Sequence, residues 1–161
     1  MSTEPTSRLE AFSDGVFAIA ITLLILEIRV PPAGVEGGLW VRLVALWPSY
    51  LAFGFSFFVI LVMWVNHHEL MRLVRAVGYA FLFANGLLLL TVTFVPFPTA
   101  VLAEHLATTE ASTAVTFYCG TFVVNSLAWG LLFAAIVRGR LFRADVDAGT
   151  IGQARGAIWP R

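Results

Sequence analysis

Lysine is absent from this 161-residue chain, and its ten basic residues, all Arg, are balanced by ten acidic ones. Such a balance excludes a nucleic-acid footprint and a polybasic membrane-surface tail. Cysteine is nearly absent too. The single Cys119 rules out a disulfide within one chain and a Cys-based metal site; lying in an apolar run, it is expected to be a small packing residue. Charged residues reach only 12% while hydrophobic ones reach 59%, a composition far from that of a soluble domain. This is an integral membrane protein. The N-terminal MSTEPTS lacks the basic start, apolar run and small-residue cleavage site of a removable signal peptide, so the first hydrophobic segment is expected to remain. No nucleophile and base pair, phosphate-cradling glycine loop or Cys/His metal pattern is evident, which argues against an enzyme and against a bound cofactor.

About 20 mostly apolar residues span a hydrocarbon core as a helix. Segments at 9–30, 39–66, 77–97 and 111–137 qualify. The first ends at Pro31 and Pro32, and the third is expected to stop at Pro96 and Pro98. Trp40, Trp47 and Trp64 lie near the ends of the second, where interfacial aromatics belong. No extended strand-type alternation is visible, and lipid-exposed backbone must bond within a helix or a closed barrel. The chain 1–161 therefore reads as one all-α transmembrane domain, a bundle of at least four membrane helices with a polar tail at 139–161. Arg72 and Arg75 after the second span, and Arg138, Arg140 and Arg143 after the fourth, mark the cytoplasmic side. Glu104 and Glu110, with no Arg between the third and fourth spans, mark the opposite side. Both termini are then expected to be cytoplasmic.

The first helix divides into two faces. At about 100° per residue, Gly15, Ile19, Thr22 and Leu26 form one stripe with Arg8 on its extension, while Ser13, Asp14, Phe17, Ile21 and Leu24 point elsewhere. A carboxylate such as Asp14 costs about 2.5 to 3.5 kcal/mol at a helix centre and less near an end, so it needs partners. Arg8, Asn85, His67 and His68 are the candidates, all expected in one layer near the cytoplasmic side. The stripe has two readings: close helix packing, or, if several copies surround an axis, a pore wall of aliphatic constrictions and Thr hydroxyls.

The motif RxxxFSD, here Arg8, Phe12, Ser13 and Asp14, followed by an aliphatic stretch with Thr22, resembles the first helix of the transmembrane protein 175 family of potassium channels in its bacterial single-repeat form. The resemblance extends to WVNHHEL at the end of the second span and to Asn85 in FANGLLLL. It implies a homotetrameric channel in a bacterial plasma membrane, permeable to K+ and other monovalent cations, whose first helix lines the pore. Carried over, Ile19 takes the main hydrophobic-constriction position, Thr22 the hydroxyl position and Leu26 a further pore position, with Leu23 as an addition. K+ would pass transiently, with no fixed metal site. Arg8, Phe12, Ser13, Asp14, His67 or His68, and Asn85 inherit a structural polar network. The family pattern has six membrane helices, whereas this chain supplies four.

Two features are decoys. AVGYAF, Ala76 to Phe81, lacks the Thr and the final Gly of a TVGYG filter loop. His67, His68 and Glu69 are adjacent on a helix and diverge too far to chelate one ion. The competing functional reading is a proton-coupled transporter using Asp14 with His67 or His68. A non-conducting membrane assembly protein is the third.

Overall fold

The computed structural model describes residues 4–34 and 38–142; the expected tail beyond residue 142 lies outside them. The first helix, α1 (Glu4–Leu23), tightens into a 3-10 turn at Leu24–Glu27. It is followed by α2 (Leu39–Ala45), α3 (Trp47–Leu73), α4 (Tyr79–Phe94), α5 (Pro96–His105) and α6 (Ala111–Arg138). Four stretches are long and apolar enough to cross a membrane: Thr6–Glu27, Trp47–Leu73, Tyr79–His105 and Ala111–Arg138. Among the described residues the only strand-like pairing is an isolated antiparallel bridge between Val74 and Phe142.

The first span begins earlier and ends earlier than the expected 9–30, at Thr6–Glu27, and the second and third depart further, with proline setting the start of one and the continuation of the other. The second begins at Trp47, not at 39, because Pro48 sits in the first turn of α3 and α2 ends at Ala45, with Leu46 as the cap between them. In a continuous helix the Pro48 ring would clash with the carbonyl four residues earlier. The third span does not stop at Pro96. That proline opens α5, where first-turn N–H groups have no intrahelical partner and their loss costs nothing, so the span runs on to His105 with a break only at Val95. The residues after Asn66, expected as a loop, are helical to Leu73. The fourth span, Ala111–Arg138, ends within one residue of its expected limit.

α1 packs against α3 and α4, and α6 packs against α4 and α5. The main core brings Phe17 and Ala20 of α1 and Leu24 of the 3-10 turn onto Ile60 of α3, Leu88 and Val92 of α4, and Leu132 and Ile136 of α6. A smaller cluster of Ala52, Leu102, Ala114 and Tyr118 closes the other end of the bundle. Much of the remaining apolar surface is exposed, as expected for a chain whose solvent is lipid or another subunit. Cys119, expected to pack internally, is exposed on α6. Its neighbour Tyr118 is the residue that turns inward, and adjacent helical positions diverge by about 100°.

Candidate functional site

The inward face of α1 repeats at Ser13, Phe17 and Ala20 and continues at Leu24 in the 3-10 turn, all buried. This is the spacing of one helical stripe. The opposite face is uncovered: Gly15 and Thr22 are exposed, Ile19 is 58% exposed and Leu26 69%, with Leu23 at the edge at 41%. Thr22 donates its hydroxyl proton to the Ile19 carbonyl at 2.9 Å. What it presents outward is therefore an oxygen with free lone pairs and not a proton.

Behind this face lies a directional chain of buried hydrogen bonds. His67 Nε2 is 2.8 Å from Asn85 Oδ1; an amide oxygen only accepts, so Nε2 carries the proton. Asn85 Nδ2 donates to Ser13 Oγ at 3.1 Å, and Ser13 Oγ donates to the Leu9 carbonyl at 2.9 Å. The chain ties α3, α4 and α1 together at one end of the bundle. Phe17 and Trp129 flank the His67 ring, with centroids at 5.3 and 6.3 Å. Of the two histidines left open by the sequence, His67 is the one that meets Asn85.

Asp14 has a partner that the sequence did not suggest. Trp64 Nε1 donates to its Oδ1 at 2.8 Å, so this tryptophan faces α1 instead of serving only as an interfacial aromatic. His68 stacks on Trp64 with ring centroids 5.9 Å apart, and its Nδ1 lies 3.1 Å from Glu10 Oε1. That separation is an ion-pair distance without hydrogen-bond alignment. Arg8 and Phe12 do not enter the network. Both are exposed on the continuation of the Gly15 and Ile19 stripe, because turning Ser13 inward rotates Phe12 and its i−4 neighbour Arg8 outward.

Two further buried polar contacts were not anticipated. Ser56 Oγ lies 2.7 Å from Thr99 Oγ1 and 2.8 Å from the Tyr118 hydroxyl, joining α3, α5 and α6. Asn125 Nδ2 donates to Thr91 Oγ1 at 2.7 Å, joining α6 and α4. Serine and threonine in apolar helices usually bond their own backbone, so the sequence carries no signal that these reach across. No group of three or more His, Cys, Asp or Glu able to hold a metal occurs among the described residues.

Residues 8–96 match the model of a protein family described as the endosomal/lysosomal potassium channel TMEM175. The chain is 52% identical over 153 residues to a protein named as a potassium channel in Chamaesiphon minutus, covering 90% of this chain and 75% of that one. It is equally 52% identical, over 145 residues, to a potassium channel of Streptomyces collinus, covering 89% and 70%. A crystal structure titled as a lysosomal potassium-selective channel TMEM175 homolog from Chamaesiphon minutus superposes with a TM-score of 0.83 at 48% identity, covering 97% of this chain and 82% of that one.

Proposed function

This chain belongs to the TMEM175 family, and we propose from that premise a specific route for the ion: the uncovered face of α1 in each copy of a homotetramer. The protein is a potassium channel of the membrane. The observation that carries the route is the two-faced character of α1. One face is fixed to α3 and α4 by the core and by Ser13, while on the other face, continued into the 3-10 turn, Ile19, Thr22 and Leu26 stay exposed among the described residues. Copies of that face around an axis give rings of Ile and Leu side chains that constrict by dewetting, and a ring of Thr oxygens that replace part of the hydration of a cation. Conduction is passive. The clustering of Arg72, Arg75, Arg138 and Arg140 supports an orientation with both termini on the cytoplasmic side, in a bacterial plasma membrane.

Proton-coupled transport has less support. The chain from His67 ends on the Leu9 carbonyl, which has no proton to hand on, and Asp14 is held by an indole, a donor that cannot accept one.

Purified protein reconstituted in liposomes is expected to pass K+ faster than Na+ without an energy source, at the mass of a tetramer. Ile19→Asn is expected to raise flux or lower the K+/Na+ ratio. Unchanged flux in Ile19 and Leu26 variants that still assemble would remove the pore assignment; proton-coupled uptake abolished by Asp14→Asn would replace it.

A further inference from the structure

Between α4 and α6, at the end of the bundle where the arginines gather, runs an open groove of about 680 Å³. Small residues make it. Ala80 and Ala84, one helical turn apart on α4, and Ala135 on α6 line it with short side chains, Phe83 and Leu141 flank them, and Leu87 and Leu131 close the far end. From Tyr79 to Leu87 the groove follows about 12 Å of helix, at 1.5 Å per residue. Its length and apolar lining suit the upper part of an acyl chain.

The mouth is polar and carries one sign of charge. Arg138 lines it, is exposed, and pairs with no carboxylate among the described residues. Arg75 and Arg140 are held beside it: the Arg75 N–H donates to the Leu141 carbonyl at 2.9 Å, and Arg75 Nη2 to the Arg140 carbonyl at 3.4 Å. The described carboxylates at this end are engaged elsewhere. Glu10 faces His68 at 3.1 Å, Asp14 accepts from Trp64 at 2.8 Å, and Glu69 pairs with Arg72 at 3.1 Å. Tyr79, 84% exposed at the start of α4, is the kind of side chain that sits at the headgroup level. Cations therefore stand at headgroup depth and apolar groove at acyl depth.

We propose that this groove binds an anionic phospholipid, its phosphate on Arg138 and one acyl chain along Ala80, Ala84 and Ala135. A zwitterionic lipid neutralises its own phosphate, whereas a net anionic headgroup answers the Arg138 guanidinium, which meets no carboxylate among the described residues.

The test is a titration of the full chain in neutral detergent with phosphatidylglycerol or phosphatidylcholine, read as lipid adducts by native mass spectrometry. Phosphatidylglycerol is expected to bind about tenfold tighter than phosphatidylcholine, and Arg138→Ala to remove about that factor, the scale of one charge-assisted phosphate contact. Arg138→Lys keeps the charge and is expected to keep most of the preference. Ala80→Phe fills the groove without touching an arginine and is expected to weaken both lipids. Equal binding of the two lipids by the unmodified chain overturns the proposal. So does phosphatidylglycerol binding that neither Arg138→Ala nor Ala80→Phe reduces, which places the lipid elsewhere, and so does the absence of any retained lipid, which means protein covers the groove.

Discussion

The indole N–H of Trp64 donates to the Asp14 carboxylate at 2.8 Å, so the most conspicuous charge on α1 is answered by a neutral side chain of α3. An indole can only donate. It satisfies one carboxylate lone pair without taking its proton, and it does so on the side of α1 turned away from Ile19 and Leu26. With His68 stacked on the same indole and facing Glu10, the bond becomes part of a strip that clamps the beginning of α1 to α3.

Trp64→Phe keeps an aromatic ring there and deletes only the donor. A hydrogen bond to a charged group contributes about 1.5–3 kcal/mol when well buried, and Asp14 is half-buried, so a loss near the lower figure is expected. Asp14→Asn retains an acceptor oxygen and is expected to cost less. Unfolding midpoints in a denaturing-detergent titration measure both; an unchanged Trp64→Phe midpoint would show that the bond does not hold the helix.

Thr22→Val tests the oxygen on the uncovered face. The two side chains have nearly the same shape, and the substitution removes the outward-facing lone pairs together with the local bond from the Thr22 hydroxyl to the Ile19 carbonyl of the same helix. Assembly is expected to be unaffected while the K+/Na+ flux ratio falls. Thr22→Ser, which restores an oxygen, is expected to bring most of the ratio back. Equal ratios in wild type and Thr22→Val would take the hydroxyl out of the ion path.

The two faces of α1 were legible because a helical period needs only the residues of that helix: Ser13 and Phe17 fall inward and Ile19 and Leu26 outward in the structure as in the periodicity. The prolines misled where position within the helix decides the outcome. Pro96 looked like a stop and is a start, and Pro48 moved the second span by eight residues, from 39 to Trp47. The partner of Asp14 was not legible at all, because it lies fifty positions away on a helix whose rotation about its own axis is set by packing. Phe12 shows the limit of a motif: neighbours in RxxxFSD point to different surroundings, so membership of the motif did not imply membership of the network.

The Ser56 contact predicts an order of costs. Thr99 Oγ1 donates to the Val95 carbonyl at 2.8 Å, so Ser56 must donate to Thr99 and Tyr118 must donate to Ser56. Tyr118→Phe then removes a donor and leaves the Ser56 bond to Thr99 intact. Ser56→Ala strands the Tyr118 hydroxyl proton in a buried cluster. An unmet buried donor costs about 1–3 kcal/mol, against about 0.5–1.5 kcal/mol for an ordinary lost bond. Ser56→Ala is expected to lower the unfolding midpoint more than Tyr118→Phe, and the reverse order would mean that the donors are arranged the other way.

Asn85 is the hinge of the buried chain, because its two amide atoms serve different partners. Asn85→Leu keeps the volume but leaves the His67 Nε2–H with no acceptor, at an expected cost of about 1–3 kcal/mol. Cycles in membrane helices give only about 0.6 kcal/mol for an average interhelical bond, so a larger loss would come from the stranded donor and not from the bond itself. The distinction can be measured. If the stranded N–H dominates, adding His67→Phe to Asn85→Leu removes the orphan and recovers part of the loss, so the double variant unfolds at a higher midpoint than the sum of the singles allows. Strict additivity of the two losses would show that His67 and Asn85 are not coupled, and the directional chain from His67 to Leu9 would lose its central link.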